Sequence, residues 1–127
     1  MDSIDEQILK LLTEDSRLTH KEIGKAVHMS GQAVGVRINQ MISKGIIEKY
    51  TIKQSFDDTQ FIRLFLNGPY FKNIKDLSVQ FKEIEDVYQT SGQACLIIIS
   101  HFSNQRLKIF LCELSKYCRF TVEAKLN

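Results

Sequence analysis

The sequence is short of the residues that mark a secreted or metal-binding protein. It has one proline, no tryptophan and three cysteines in 127 residues. The cysteines are Cys95, Cys112 and Cys118, an odd number without the paired spacing of a zinc site. A single proline leaves room for dense secondary structure. These shortages argue against a disulfide framework, predict reduced thiols in a cytosolic protein, and give no reason to expect a metal or cofactor.

Long apolar runs are also missing. The longest, Ala94–Ile99, has six residues, far fewer than a membrane span requires. At the N-terminus the acids Asp2, Asp5 and Glu6 accompany only a short apolar stripe, which is unlike a signal peptide. We therefore expect a cytoplasmic protein that does not associate with membranes.

Positive charge is concentrated in one part of the chain, although the net charge is only +2. Residues 16–47 carry five basic side chains and a single acid, Glu22, which gives this segment a local charge of +4. The basic residues are Arg17, Lys21, Lys25, Arg37 and Lys44. A local positive patch is the minimum electrostatic requirement for binding a phosphate backbone. The patch is compatible with a nucleic-acid partner, and the alternative is a charged surface that is only solvated.

The first 45 residues contain three apolar stripes with the spacing of amphipathic helices. The residues predicted to face inward are Ile4, Ile8, Leu11 and Leu12 in the first helix, Ile23, Ala26 and Val27 in the second, and Val34, Ile38, Met41 and Ile42 in the third. Asp2 or Ser3 can cap the first helix, and Thr19 with Glu22 has the pattern of a capping box for the second.

A turn of about three residues separates the second and third helices. The second is predicted to end around His28, Ser30 to cap the third, and Gly45 to end it. This spacing indicates a helix-turn-helix, and the alternative is a small helical bundle without a ligand. Because residues 46–53 alternate like a strand, we predict a three-helix, winged helix-turn-helix domain over residues 1–53.

The rest of the chain has a different spacing of apolar residues. Residues 54–60 are polar and are predicted to be a linker. Apolar spacing then predicts a strand over Phe61–Asn67, a helix to about Phe81, strands over Asp86–Ser91 and Ala94–Ser100, a helix containing Leu107, Phe110, Leu111 and Leu114, and a strand from Phe120 to Leu126. The order is βαββαβ, so residues 61–127 are predicted to form a ferredoxin-like domain, and the chain has an α+β fold.

The predicted central strand is apolar on both faces. Leu96 and Ile98 point to one side, and Ile97 and Ile99 point to the other. The two helices can cover only one face of the sheet, and a bare apolar face does not remain in water. We expect the sheet to pair with a second copy of the chain, which would present two helix-turn-helix units to two half-sites.

These residues resemble the Lrp/AsnC family of bacterial and archaeal transcriptional regulators, also called feast/famine or leucine-responsive regulators. The resemblance covers nearly the whole chain and is carried by Ile4-Asp5, Ile8-Leu9, residues 22–30, Val34, Arg37-Ile38, Met41, and most specifically Gly45-Ile46-Ile47 with Tyr50-Thr51. Residues 87–92 look like the strand and glycine of the family's effector-binding domain.

The resemblance implies sequence-specific binding of double-stranded operator DNA and regulation of transcription. It also implies a homodimer built through the β-sheets, often assembled further into tetramers or octamers. The location would be cytoplasmic and nucleoid-associated. Control would come from a small molecule, usually an amino acid.

The chain departs from the family pattern in both halves. His28 occupies a turn position commonly held by glycine, although histidine tolerates a positive φ better than most residues. Gly31 and Gly35 each weaken the third helix by about 1 kcal/mol relative to alanine, so packing or DNA must offset them. Gln93 and Cys95 stand where the family often has acids that can meet a ligand amine. The sequence therefore leaves three alternatives: the effector is an amino acid, it is another small molecule, or the protein binds no effector.

The third helix is long enough to lie in a major groove, and its N-terminal turn is predicted to touch base edges. Gln32 can read an adenine, and Ala33 and Val36 can contact a thymine methyl group. Arg37 fits a phosphate contact, with a surface ion pair as the alternative. The predicted DNA-binding set is Lys21, Ser30, Gly31, Gln32, Ala33, Val36, Arg37, Gln40 and Lys44. The predicted effector-binding set is Gly92, Gln93, Ala94 and Cys95.

Two other functions are compatible with parts of the sequence. Gly31 and Gly35 fit a small-molecule-binding or assembly module without specific operator recognition. Cys95 and His101 could suggest a nucleophile and a base, but no third group is evident to orient them. We predict a DNA-binding regulator that is not an enzyme.

Overall fold

The computed structural model describes all 127 residues, Met1–Asn127, as two compact units. The first unit is Met1–Lys53 and the second is Gln54–Asn127. The first holds three helices and the second has the element order βαββαβ, so the predicted α+β fold is confirmed. None of the helices is both long and apolar enough to cross a membrane.

Three helices form the first unit: α1 is Ser3–Glu14, α2 is His20–Val27 and α3 is Gly31–Ser43. Helical spacing brings one side of each helix into a common core. The buried residues there are Ile8, Ile23, Val27, Val34, Ile38 and Met41. The inward-facing prediction is wrong at Ala26, which is exposed, and at Ile42, which is 44% exposed. Each lies about 100° around its helix from a buried neighbour, at the edge of the apolar side.

The start of each helix is fixed by a side chain. Asp2 caps α1, since its carboxylate accepts from the Asp5 amide at 2.9 Å while Asp5 accepts from the Asp2 amide at 3.4 Å. Thr19 and Glu22 form the predicted capping box of α2, with both hydrogen bonds at 3.1 Å. Ser30 caps α3 by accepting from a first-turn amide at 3.1 Å. These bonds satisfy amides that a helix start leaves unpaired, so all three starts follow from local sequence.

The turn between α2 and α3 begins at His28, whose φ of 61° lies in the left-handed region. The amides of His28 and Met29 both donate to the Gly24 carbonyl, which closes the end of α2. Gly45, with a φ of 77°, follows α3 as predicted. The expectation that histidine can hold this turn is therefore confirmed.

Replacing His28 with glycine should stabilise the protein, because glycine adopts the left-handed conformation without a Cβ clash. We expect the free energy of unfolding to rise by about 0.5–1 kcal/mol. Lys25→Gly, at an exposed position inside α2, should lower it by about 1 kcal/mol. Urea denaturation of both variants measures the two effects, and destabilisation by His28→Gly would contradict the assignment of strain to this residue.

Residues 46–53 do not form the predicted strand. Ile46, Tyr50 and Ile52 remain exposed, and the first unit contains no strand at all. The alternating pattern is present, but a strand exists only where a neighbouring strand accepts its backbone hydrogen bonds. The prediction of a wing is therefore wrong for the single chain, and the exposed apolar side chains are left without a cover.

The second unit is an antiparallel sheet with two helices. Its elements are β1 Gln60–Leu66, α4 Phe71–Ser78, β2 Ile84–Gln89, β3 Leu96–Ser100, α5 Asn104–Leu114 and β4 Cys118–Ala124. The strand order is β2-β3-β1-β4, and every neighbouring pair is antiparallel. One face of β1 and β3 contributes Ile62, Leu64, Leu96 and Ile98 to a core that also holds Ile74, Leu77, Phe81, Phe102, Phe110, Leu114 and Cys118.

Several boundaries differ from the sequence-based expectations. Gln60, predicted as the last linker residue, is instead the first residue of β1 and is only 5% exposed. Helix α4 ends at Ser78, although Phe81 beyond it is buried as its apolar spacing suggested. Strand β2 starts earlier than expected, at Ile84, and β4 starts at Cys118. For the three strands, pairing with a neighbouring strand sets where the element begins.

Candidate nucleic-acid interface and effector pocket

Helix α3 presents one side to the core and the opposite side to solvent. Val34, Ile38 and Met41 are buried, while Gln32, Val36, Gln40 and Lys44 are exposed. The helix has 13 residues and is therefore roughly 20 Å long, enough to lie along a major groove. Of the other predicted contacts, Lys21 and Ser30 are exposed, and Gly31, Ala33 and Arg37 are half-buried. Eight of the nine predicted residues thus lie on α3 or at its ends, and Lys21 lies in α2.

The glycines of α2 and α3 allow the two helices to approach closely. A Cβ on Gly24 would lie 2.4 Å from the Met29 carbonyl oxygen, and one on Gly31 would lie 3.2 Å from the Lys21 amide nitrogen. A Cβ on Gly35 would lie 2.9 Å from the His20 ring. Backbone packing against α2 therefore accounts for Gly31, whereas the atoms nearest to Gly35 belong to the side chain of the exposed His20.

Arg37 is engaged inside the chain. Its guanidinium Nη1 donates to Asp2 Oδ2 at 2.6 Å and to Asp5 Oδ1 at 3.1 Å. The sequence-based view raised an ion pair only as an alternative and did not identify its partners. Both acids precede the basic segment 16–47 and are 35 and 32 residues away from Arg37 along the chain. From the sequence alone, Asp2 is only one of two possible caps of the first helix, and the Asp5 side chain has no assigned role.

A shallow pocket of about 660 Å³ opens in the second unit beside the β2–β3 loop. Gly92, Ala94 and Cys95 line it, as the effector prediction grouped them, but Gln93 does not. The sequence analysis missed the remaining lining residues, which are Leu66, Asn67, Gly68, Phe71, Gln89, Thr90 and Ser91. They come from the end of β1, the start of α4 and the end of β2, which only the folded sheet brings together. No lining residue carries a charge.

The β2–β3 loop is held in shape by its own hydrogen bonds. Thr90 donates from its hydroxyl to the Ala94 carbonyl at 2.9 Å, and its amide donates to the Cys95 carbonyl at 3.1 Å. The Cys95 amide donates to Leu64 in β1 at 2.8 Å. Gly92 has a φ of 110°, which strains any other residue, so it serves as a turn glycine as well as a pocket residue.

Cys95 and His101 do not form a catalytic pair. They stand at opposite ends of β3, roughly 20 Å apart along an extended strand. His101 instead contacts Thr59 Oγ1 at 2.9 Å through Nδ1 and Glu85 Oε1 at 2.8 Å through Nε2. Burial and the neighbouring Cys95 raise the pKa of the Cys118 thiol to about 11, so Cys118 stays protonated and unreactive at neutral pH. No His, Cys, Asp and Glu cluster in the chain is arranged to hold a metal ion.

An exposed recognition helix over a small core, followed by a ferredoxin-like unit, defines a helix-turn-helix DNA-binding protein. A family model for the AsnC-type helix-turn-helix domain matches residues 1–42. LrpB, an HTH-type transcriptional regulator of Bacillus subtilis (strain 168), is 38% identical over 123 residues, which cover 92% of this chain and 83% of LrpB. The chain therefore belongs to the Lrp/AsnC family and is a transcriptional regulator.

Solved structures with the same fold cover the whole chain. The structure of Bacillus subtilis LrpC superposes with a TM-score of 0.89 at 24% identity, covering 100% of this chain and 95% of that one. A transcriptional regulator of Neisseria meningitidis, solved in complex with L-methionine, gives a TM-score of 0.84 at 19% identity over 100% of this chain and 90% of that one. At these identities the likeness concerns the fold alone.

Proposed function

We propose that the chain binds operator DNA as a homodimer, with α3 of each copy in a major groove. The observation that carries this proposal is the exposed side of α3, where Gln32, Val36, Gln40 and Lys44 lie opposite the core without an acid among them. A polar, weakly cationic helix face is suited to base edges flanked by phosphates.

Individual contacts follow from the chemistry of the exposed side chains. The Gln32 amide can pair with an adenine through two hydrogen bonds, and Ala33 and Val36 can contact a thymine methyl group. Lys44 and Lys21 can reach phosphates, and Gln40 can donate to one. Ser30 and Gly31 stand at the N-terminus of α3, where the helix dipole favours a phosphate.

The open face of the sheet supports the homodimer. Phe61 is 37% exposed and Tyr88 is 50% exposed, and Ile97 and Ile99 are only half-buried. These side chains occupy neighbouring strands, because Ile99 pairs with Phe61 and Ile97 pairs with Tyr88. A second copy of the same face would cover this apolar surface, and its two-fold symmetry would match two half-sites. Higher assembly to tetramers or octamers is part of the proposal.

The pocket beside Gly92 is the proposed effector site. A structural neighbour solved with L-methionine supports small-molecule binding by this fold. The pocket of the present chain contains no carboxylate that could pair with an amino acid's ammonium group. Burying that charge without a partner is unfavourable, so a ligand without a positive charge fits this lining better than a free amino acid does.

We place the regulator in the cytoplasm, on the nucleoid, where its operator would be. A function in regulation without catalysis agrees with the relatives LrpB and LrpA of Bacillus subtilis, which are transcriptional regulators. The second candidate, an assembly module without operator recognition, is favoured only by the glycines of α3. The close contact of Gly31 with the α2 backbone gives that glycine a structural reason, which weakens that candidate.

A DNA titration tests the proposal. Duplexes selected from a random pool by the full-length protein should bind more tightly than random duplexes, and the binding constant should fall steeply with salt. Gln32→Ala should lower discrimination at one base pair by about 1–3 kcal/mol. Lys44→Gln should lower the slope of log binding constant against log salt by about one, at every sequence alike.

Lys108→Gln, at an exposed position of α5, is the matched control. It should leave the slope of log binding constant against log salt unchanged. Equal affinity for selected and random duplexes would overturn operator recognition and favour the assembly module. Binding that does not depend on salt would overturn the phosphate contacts.

A further inference from the structure

Two carboxylates at the start of α1 meet the guanidinium of Arg37 in α3. The ion pairs are 2.6 Å to Asp2 and 3.1 Å to Asp5. The Arg37 side chain is 26% exposed and that of Asp5 only 18%. Both bonds come from Nη1, so Nε and Nη2 keep their N–H donors. The single positive charge of Arg37 nevertheless faces two negative charges, and the resulting net negative cluster repels a phosphate.

The capping box holds both carboxylates in place. Asp2 accepts from the Asp5 amide at 2.9 Å and Asp5 accepts from the Asp2 amide at 3.4 Å, which orients both carboxylates at the start of α1. The hydrogen bond from Arg37 lowers the pKa of Asp2, and the same contact raises the pKa of Arg37. The pair therefore stays charged across the neutral range.

The carboxylates also border the surface proposed to face DNA. One groove of about 760 Å³ is lined on one side by Met1, Asp2 and Asp5, and on the other by Met29, Ala33, Val36, Arg37, Gln40 and Lys44. Four of these α3 residues belong to the proposed contact set apart from Arg37 itself. Without Arg37, two negative charges would stand at the edge where DNA phosphates must approach.

We propose that Arg37 is a positioning residue that acts through Asp2 and Asp5: its positive charge offsets one of their two negative charges at the DNA-facing groove, and it does not itself bind a phosphate. This inference rests on the proposed DNA-binding function. It replaces the sequence-based prediction of a phosphate contact at Arg37, and it leaves Lys44 as the cation of α3 that is free of any ion pair and available to DNA.

Four variants of the full-length protein separate the two roles. They are Arg37→Gln, the double variant Asp2→Asn/Asp5→Asn, the triple variant that combines all three changes, and Lys44→Gln. Asparagine caps a helix as well as aspartate does, so the start of α1 is preserved. The triple variant removes the whole ion-pair cluster and leaves no charge unpaired. Thermal unfolding of each variant shows that it is folded before binding is compared.

The measurement is binding to a selected duplex and to a random duplex over a series of salt concentrations. We expect Arg37→Gln to bind both about two- to threefold more weakly, as the loss of one unit charge acting on a phosphate through water at roughly 8 Å would produce. The triple variant carries one negative charge fewer than the wild-type cluster, so it should bind at least as tightly as the wild-type protein, with an unchanged salt slope. Lys44→Gln should lower that slope by about one.

A triple variant that stays weak, with a salt slope lower by about one, would show that Arg37 binds a phosphate and would overturn the inference. This comparison does not need Arg37→Gln to fold, because the triple variant decides alone. If the wild-type protein bound neither duplex, the proposed function and the inference would fall together. Binding by the wild-type protein without recovery in the triple variant would remove the inference only.

Discussion

Ile97→Glu is expected to convert the protein to a monomer and to weaken binding to a two-half-site operator by about 100-fold or more. Ile97 lies near the middle of the open sheet face, between Arg63 on β1 and Tyr88 on β2. In a dimer built through this face, the new carboxylate and the neighbouring Arg63 would both be withdrawn from water, and this desolvation can cost more than the attraction between the two charges returns. The second half-site contact, and the avidity that it brings, would then be lost.

The position is chosen so that the single chain still folds. In the monomer the new carboxylate faces Arg63 directly across the strand pair, and cross-strand pairs of opposite charge are favourable by roughly 0.2–1 kcal/mol. Sedimentation gives the oligomeric state, and thermal unfolding shows that the fold is kept. Val79→Glu is the control. Val79 is an apolar residue that follows α4 and is 84% exposed, so this change should leave both assembly and DNA binding unaltered. An Ile97→Glu variant that remains dimeric would place the interface elsewhere.

The local structure of the helix-turn-helix was predictable from the sequence because its causes are local. The Thr19–Glu22 capping box and the Ser30 cap involve residues three apart, and the left-handed turn involves His28 alone. Such hydrogen bonds form between residues that are close in the sequence, so the local sequence pattern is enough to predict them.

The parts that were not predictable depend on contacts between distant segments. Arg37 meets Asp2 across 35 residues of sequence, and no periodicity links the two. The pocket beside Gly92 takes Phe71 from another element, which only the strand order brings near. Residues 46–53 have the alternation of a strand but no strand beside them in the single chain, so the strand predicted from the pattern does not form.

Gln60 shows the same limit at a buried position. The sequence-based analysis assigned it to a polar linker, yet it lies within β1 and is 5% exposed. Its Nε2 donates to the Phe102 carbonyl at 2.9 Å, while its Oε1 accepts from the Phe102 amide at 2.9 Å and from Ser100 Oγ at 2.8 Å. One amide thus satisfies both backbone groups of a residue 42 positions away and fixes the loop that leads into α5.

Gln60→Leu is expected to lower the free energy of unfolding by about 3 kcal/mol or more, because three buried polar groups lose their partner at about 1–3 kcal/mol each. The melting temperature should fall by roughly 12–24 °C for a unit of this size. Gln80→Leu, at an exposed position after α4, is the matched control and should change stability by less than about 0.5 kcal/mol. A Gln60→Leu variant as stable as this control would mean that the network contributes nothing net.

Gln60→Glu keeps the shape of the side chain but removes its N–H donor, so it separates these two contributions. An ionised carboxylate can still accept from Phe102 and Ser100, but it has no proton to donate to the Phe102 carbonyl, and burial disfavours its charge. Burial therefore raises the folded-state pKa above the unfolded value of about 4.3. The folded state then holds a proton that the unfolded chain has released, so stability relative to the wild-type protein is highest below about pH 4.3 and falls as pH rises through the folded-state pKa. Gln60→Leu should show no such dependence. Parallel pH profiles for the two variants would mean that the Phe102 carbonyl does not need a donor, and that Gln60 acts by filling space.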